Sequence, residues 1–185
     1  MRLKVTPLFC VVLSVGVLAG VVGCSSASDR GALRISGHSS LARNILRSPK
    51  ISLMTSHVSG RYDDATAYRN IQQAAQGGSS RRSSYGRAPG GWVRLDPRML
   101  RAMDQLTTEG FTYRVTELAG GSHSGDSRHY AGIAFDVDRV NGEKVGWGNP
   151  HCRRFVRRCR ELGATEVLGP DHRGHSTHLH LAWPR

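Results

Sequence analysis

Cysteine is scarce in this chain: four residues out of 185, at positions 10, 24, 152 and 159. That count excludes a disulfide-framed scaffold. Cys152 and Cys159 fall on one helical pattern, and two turns separate their Cα atoms by ~10.5 Å, beyond the span of a disulfide. Both read as buried thiols. Aromatic residues make up only 6% of the chain, and acidic residues number 14 against 26 basic ones. Long apolar runs are confined to one place, Val5 to Val22. No internal repeat is present, which excludes solenoids and propellers.

That one apolar run follows Met1-Arg2-Leu3-Lys4 and ends in Val21-Val22-Gly23-Cys24. A short positive region, an apolar stretch and small residues before a cysteine describe a secretory signal. Its end resembles a bacterial lipobox, with Cys24 as the lipidated residue. Cleavage after Ser25-Ser26-Ala27 and an uncleaved anchor helix are the alternatives, the run being about long enough to span a bilayer. All three place the folded part outside the cytoplasm, in the cell envelope. The formal net charge of +12 becomes +10 once Arg2 and Lys4 leave with the signal. Outside the cell such a charge suits lipid head groups or wall polymers. Nucleic acid is not an expected partner there.

Four segments follow from composition. Residues 1–23 are the signal, and 24–60 read as a flexible Ser/Gly/Arg-rich tether with one short helix at Leu41 to Leu46. Residues 61–91 form a helix (Ala65 to Gln76) and a loop, and 92–185 form the compact domain. Within it, Asp96-Pro97 opens a helix to about Thr108, with Met99, Leu100, Met103 and Leu106 as its buried stripe. Phe111 to Leu118 and Ile133 to Val137 alternate as strands, and Asn141-Gly142 marks a turn. A helix runs from Asn149-Pro150 to Leu162. Its Phe155 and Cys159 face inward, and Arg153, Arg154, Arg157 and Arg158 face outward, a solvated face that could also meet anionic polymer. Thr165 to Leu168 and His178 to Trp183 are the last strands. This order predicts a small α+β domain with a mostly antiparallel sheet flanked by helices.

Seven of the nine histidines stand at or after residue 123. Four of them fall in Ser127-Arg128-His129-Tyr130-Ala131-Gly132-Ile133-Ala134-Phe135-Asp136 and in His175-Ser176-Thr177-His178-Leu179-His180. Residues two apart on a strand share a face, roughly 7 Å apart. His178 therefore sides with His180, and Ala134 with Asp136. A loop before the second strand can bring His129 toward Asp136. Imidazoles and a carboxylate are the usual ligands of a catalytic zinc, which takes three and leaves a position for water. His123 and Asp126, on the loop before this motif, read as exposed polar residues, with a place lining the cleft as the alternative. Trp183 is the best cleft wall among the three tryptophans.

The pattern Ser127-x-His129-x-x-Gly132-x-Ala134-x-Asp136, followed by His178-x-His180, resembles the zinc D-Ala-D-Ala metallopeptidases. That superfamily includes murein endopeptidases, phage endolysins and the hedgehog signalling domain. The resemblance covers about Asp96 to Pro184 and implies that fold, a Zn²⁺ cofactor and ligands His129, Asp136 and His180. It implies hydrolysis of peptidoglycan stem-peptide or crosslink bonds. The chain is expected to be a monomer. Several relatives carry a Glu three residues before the final ligand, where this chain has Thr177. The chain thus looks like the His-x-x-His-x-His branch, with His178 as base and His175 as proton relay or charge stabiliser. Many relatives also hold substrate with an Arg on the strand before the first motif. None stands in Thr116 to Gly120, and Arg128 is the candidate in its place. The alternative is a zinc-containing envelope module without turnover that binds wall or anionic lipid.

Overall fold

Asp96 accepts a hydrogen bond from the Arg98 backbone N–H, and Pro97 follows at the first helical position, where its missing N–H costs nothing. In the computed structural model, which describes residues 27–185, this cap starts a helix over Pro97–Thr108 with Met99, Leu100, Met103 and Leu106 wholly buried. The elements in chain order are α1 (Ala27–Arg47), β1 (Ile51–Leu53), α2 (Ala67–Ala75), β2 (Ser80–Arg81), β3 (Trp92–Val93) and α3 (Pro97–Thr108). They continue with β4 (Tyr113–Glu117), β5 (Ala134–Val140), β6 (Glu143–Lys144), α4 (His151–Glu161), β7 (Glu166–Leu168) and β8 (Leu179–Ala182).

The fold is α+β. One sheet runs in the order β1-β4-β5-β8-β7, with β6 paired to β5, and β2 and β3 form a small antiparallel ladder. All pairs are antiparallel except β1 with β4. Phe135, Val137, Leu179 and Leu181 face the core with Tyr113 and Phe155. Asp136 and His180 alternate with them and are cross-strand partners. The period-2 rule thus sends aliphatic residues to one face and the polar site to the other. A register shift between Arg114 and Val115 lets Arg114 oppose Arg139 while Val115 opposes Val137, so Asp138 is the extra residue of a bulge.

The tether expected over 24–60 is corrected over its described part. Residues 27–47 are helical, and Ala42 and Ile45 are wholly buried against α2 and α3. The short helix expected at Leu41 to Leu46 lies within this helix; the Ser, Gly and Arg content hid its true length. Residues 51–53 join the sheet beside β4. Residues 61–91 are equally part of the body: Asn70 on α2 accepts from the Ala119 N–H at 2.7 Å and donates to the Arg81 carbonyl at 2.9 Å. Among the described residues no helix is long and apolar enough to cross a membrane. The signal and the lipidation site Cys24 lie outside the described residues.

Cys152 and Cys159 are free and buried, as the helical spacing requires. Trp183, expected at the cleft, is instead core: its ring stacks on Phe135 at 5.8 Å and its indole N–H donates to the Leu162 carbonyl. Trp147 and Trp92 are the exposed ones. On α4 the Arg face is not uniform, because Arg158 is tied to Glu109 and Glu161.

Candidate metal centre

Two strands and one turn build the site. β5 supplies Asp136, β8 supplies His180, and the turn before β5 supplies His129. That turn closes through the Gly132 N–H donating to the His129 carbonyl at 2.9 Å. Gly132 has φ +71, and a Cβ there would stand 2.5 Å from the Arg94 carbonyl oxygen. Only glycine allows this close approach, which presses the turn against the start of α3 and aims His129 inward.

The donor atoms converge. His180 Nδ1 lies 2.9 Å from Asp136 Oδ1, His129 Nε2 lies 3.2 Å from the same oxygen, and the two ring nitrogens are 3.1 Å apart. All three side chains are nearly inaccessible to solvent. Each ring is fixed through its other nitrogen. His129 Nδ1 donates to the Leu118 carbonyl at 2.6 Å, and His180 Nε2 donates to Glu166 at 3.2 Å. With those protons placed, both inward nitrogens present lone pairs, beside a carboxylate oxygen. Three lone-pair atoms about 3 Å apart repel one another unless a cation lies among them.

The electrostatics agree. Burial opposes charge on Asp136, yet His129 and His180 hold its carboxyl well below the usual range. Burial would lower the His129 pKa, but the charge and hydrogen bond of Asp136 raise it. The corner draws positive charge, whether a proton or a metal ion.

His123, expected at the surface, is turned inward. Its ring stacks on His129 with centroids 4.0 Å apart, and its Nε2 donates to the Gly120 carbonyl at 3.0 Å. Burial, then the neighbouring His129, pushes its pKa down to about 4. His123, His129 and Asp136 offer ligand atoms all within 4.8 Å of one another, so this group can hold a metal ion. The sequence signal for His123 was its place six residues before His129, and a flexible small-residue loop made that spacing uninformative.

The centre forms part of the wall of a cavity of about 1070 Å³, which Tyr85, Arg114, Glu117 and His178 also line. His178 is a quarter exposed, with Nε2 4.0 Å from Asp136 Oδ2. Burial lowers its pKa, so it stands ready as a neutral acceptor. His175 packs beside it, ring centroids 4.8 Å apart, and lies 6.0 Å from the His180 ring. Arg128 reaches the cavity, but its guanidinium is engaged: Nε donates to Glu166 at 2.8 Å and a terminal nitrogen to the Trp183 carbonyl at 3.0 Å. Asp126 is an exposed rim residue.

Two features escaped the sequence reading. Arg114 on β4 lines the cavity and forms a two-pronged ion pair with Asp138. His57, in the stretch read as tether, is buried with Nδ1 2.9 Å from both Glu117 oxygens and Nε2 2.8 Å from Asp63. A lone histidine among serines offers no periodic signal. Comparison with family models, with curated proteins and with solved structures returned no match.

Proposed function

We propose that the chain is a zinc-dependent peptidase that hydrolyses stem-peptide or crosslink bonds of peptidoglycan. The D-Ala-D-Ala metallopeptidase resemblance of the two histidine motifs supplies the substrate class. In this reading the chain is exported and held to the membrane by a lipid on Cys24. The observation that carries it is the triangle of His129, Asp136 and His180 donor atoms, 2.9 to 3.2 Å on a side. Ligands of a tetrahedral zinc, each 2.0–2.1 Å from the ion, stand about 3.3 Å apart. The two sets of distances agree without any large shift of the backbone.

These three residues would hold the ion, and bound zinc supplies Lewis acidity and a water that ionises near neutral pH. The chain's own groups do the rest. His178 stands on the open side with a lowered pKa, suited to take a proton and return it to the leaving amine. His175, against His178, passes that proton toward solvent or steadies charge on its ring. Asp136 and the core behind it exclude water from the inner side of the centre. Arg128 is paired with Glu166 and Arg114 with Asp138, which leaves Lys144 as a further cation along the cavity wall.

The full-length chain incubated with purified cell-wall sacculi should release peptides or free D-Ala, and a chelator should abolish that release. Absence of any chelator-sensitive product would end the peptidase reading.

One observation favours a second reading. If His123 joins His129, Asp136 and His180, four protein donors close the coordination shell, as in structural zinc sites. The chain would then be a zinc-containing envelope module without turnover. Cobalt substitution separates the two. An open site changes its visible spectrum when a hydroxamate is added, and a closed one does not.

A further inference from the structure

The sequence pattern cast Arg128 as a group that grips substrate. Its actual contacts give it a different place in the site. Arg128 Nε donates to Glu166 Oε2 at 2.8 Å, and Glu166 Oε1 accepts from His180 Nε2 at 3.2 Å. At its other end Arg128 donates to the Trp183 carbonyl, immediately after β8. Glu166 sits on β7, two residues before the partner of His180 and so on the same face of the strand, since it faces Ala182 while Leu168 faces His180. The chain Trp183 carbonyl, Arg128, Glu166, His180 thus starts just after β8, passes through β7 and ends on β8.

We infer that Arg128 and Glu166 are positioning residues that set the ring orientation and tautomer of His180, so that Nδ1 is the nitrogen offered to a metal ion. This rests on the reading of the corner as a metal centre and not on peptide hydrolysis. The reasoning is geometric. A neutral imidazole carries one proton, and carboxylates stand at both nitrogens, Asp136 at Nδ1 and Glu166 at Nε2; with a cation beside Asp136 on the inner side, the proton goes to Nε2, where Glu166 accepts it. Nδ1 is then left as a lone pair, 2.9 Å from Asp136 Oδ1 and 3.1 Å from His129 Nε2. His129 obtains the same result with the opposite nitrogen, through the Leu118 carbonyl. The two ligands thus coordinate through different nitrogens, each fixed by a different kind of acceptor. A backbone carbonyl cannot be mutated away. Glu166 can, and its side chain is about one third exposed. Arg128 limits that exposure by tying down the second oxygen. A guanidinium suits this because it holds a carboxylate and a carbonyl at once in a fixed fork.

The test is zinc affinity of the full-length chain, measured by competition with a chromophoric chelator and without any substrate. Outer-shell partners of this kind typically change metal affinity 10–100-fold. We expect Glu166→Ala to weaken zinc binding within that range and Arg128→Ala to weaken it less, since Glu166 remains. Glu166→Gln keeps an acceptor oxygen for the Nε2 proton and should retain most of the affinity. Nitrogen-15 spectra of the zinc-loaded wild type should show His180 bound through Nδ1 with a proton on Nε2. Circular dichroism of the metal-free variants checks that they fold. If Glu166→Ala does not fold, Arg128→Ala and the wild-type spectrum still decide. Wild-type affinity in a folded Glu166→Ala, or zinc on His180 Nε2, overturns the inference while leaving the peptidase proposal untouched. A protein that binds zinc, follows this order of affinities and cleaves nothing upholds the brace and removes only the peptidase. A wild type that binds no zinc removes both.

Discussion

His57 and His129 are both almost fully buried, and each meets a carboxylate from the same pair of strands: Glu117 on β4 for His57, Asp136 on β5 for His129. Glu117 and Asp136 are cross-strand partners. The residue types match, yet the arrangements differ. His57 has one carboxylate for each nitrogen, Glu117 at Nδ1 and Asp63 at Nε2. Two N–H groups, each aimed at an acceptor, satisfy this cluster completely, so a proton is the cation it wants. His129 spends one nitrogen on a carbonyl and turns the other toward an oxygen and a second ring nitrogen. One proton cannot serve three inward lone pairs. The number of acceptors converging on a point, and not the residues themselves, separates a structural ion bridge from a candidate metal centre.

Mutation of the three inward groups should break the comparison most sharply. His129→Ala and His180→Ala should lose bound zinc and with it all hydrolysis of wall peptides, measured as metal content and product release. His178→Ala should keep its zinc and lose rate by roughly 10²–10⁴-fold, the usual worth of a positioned acid–base group. Equal metal retention in all three variants would mean that the corner is not a metal centre. The His57 cluster predicts the complementary outcome. His57→Ala leaves Glu117 and Asp63 without their shared cation, and breaking such a buried pair costs roughly 3–5 kcal/mol of stability. Metal-free protein compared by urea unfolding should show that loss, while the zinc content of the folded fraction stays at the wild-type ratio.

The two clusters were unequally legible. β5 and β8 carry period-2 alternation, so the faces that Asp136 and His180 occupy were legible in the sequence. The helix at Pro97–Thr108 was readable to its cap because Asp-Pro and an apolar stripe coincide. Arg128 was visible as a residue, but its pairing was not, because its partner Glu166 lies 38 positions away on β7. His57 and the greater length of the helix Ala27–Arg47, of which only Leu41 to Leu46 was read as helical, were missed for another reason. Their burial comes from contacts with α2, α3 and β4, and a serine- and arginine-rich stretch shows no local pattern that reports such contacts. Local periodicity reveals elements that bury a whole face. It is silent on a segment that buries two or three side chains in a core made by others.

The smallest predicted effect is a difference in the sign of a pH dependence. Burial would lower the His57 pKa, but its hydrogen bonds to the Glu117 and Asp63 carboxylates hold it up at about 8. Burial also nudges the Glu117 carboxyl upward; the direction that governs near neutral pH is the His57 one, because its two acceptors both favour the proton. A group raised in the folded state stabilises fully below its unfolded pKa, near 6.5, and that contribution disappears as pH climbs through the folded value. The shift corresponds to about 2 kcal/mol. The stability gap between metal-free wild type and His57→Gln should therefore shrink by about that amount between pH 6 and pH 9. Zinc acts in the other direction. Its ligands must shed protons to bind, so the stabilisation added by a fixed zinc concentration should grow from pH 6 to pH 8. Urea unfolding at each pH, with and without zinc, separates the two slopes. A His57 gap that does not change with pH would mean that this ring is neutral in the folded chain. The contrast between a proton-filled and a metal-seeking cluster would then fail on its first side.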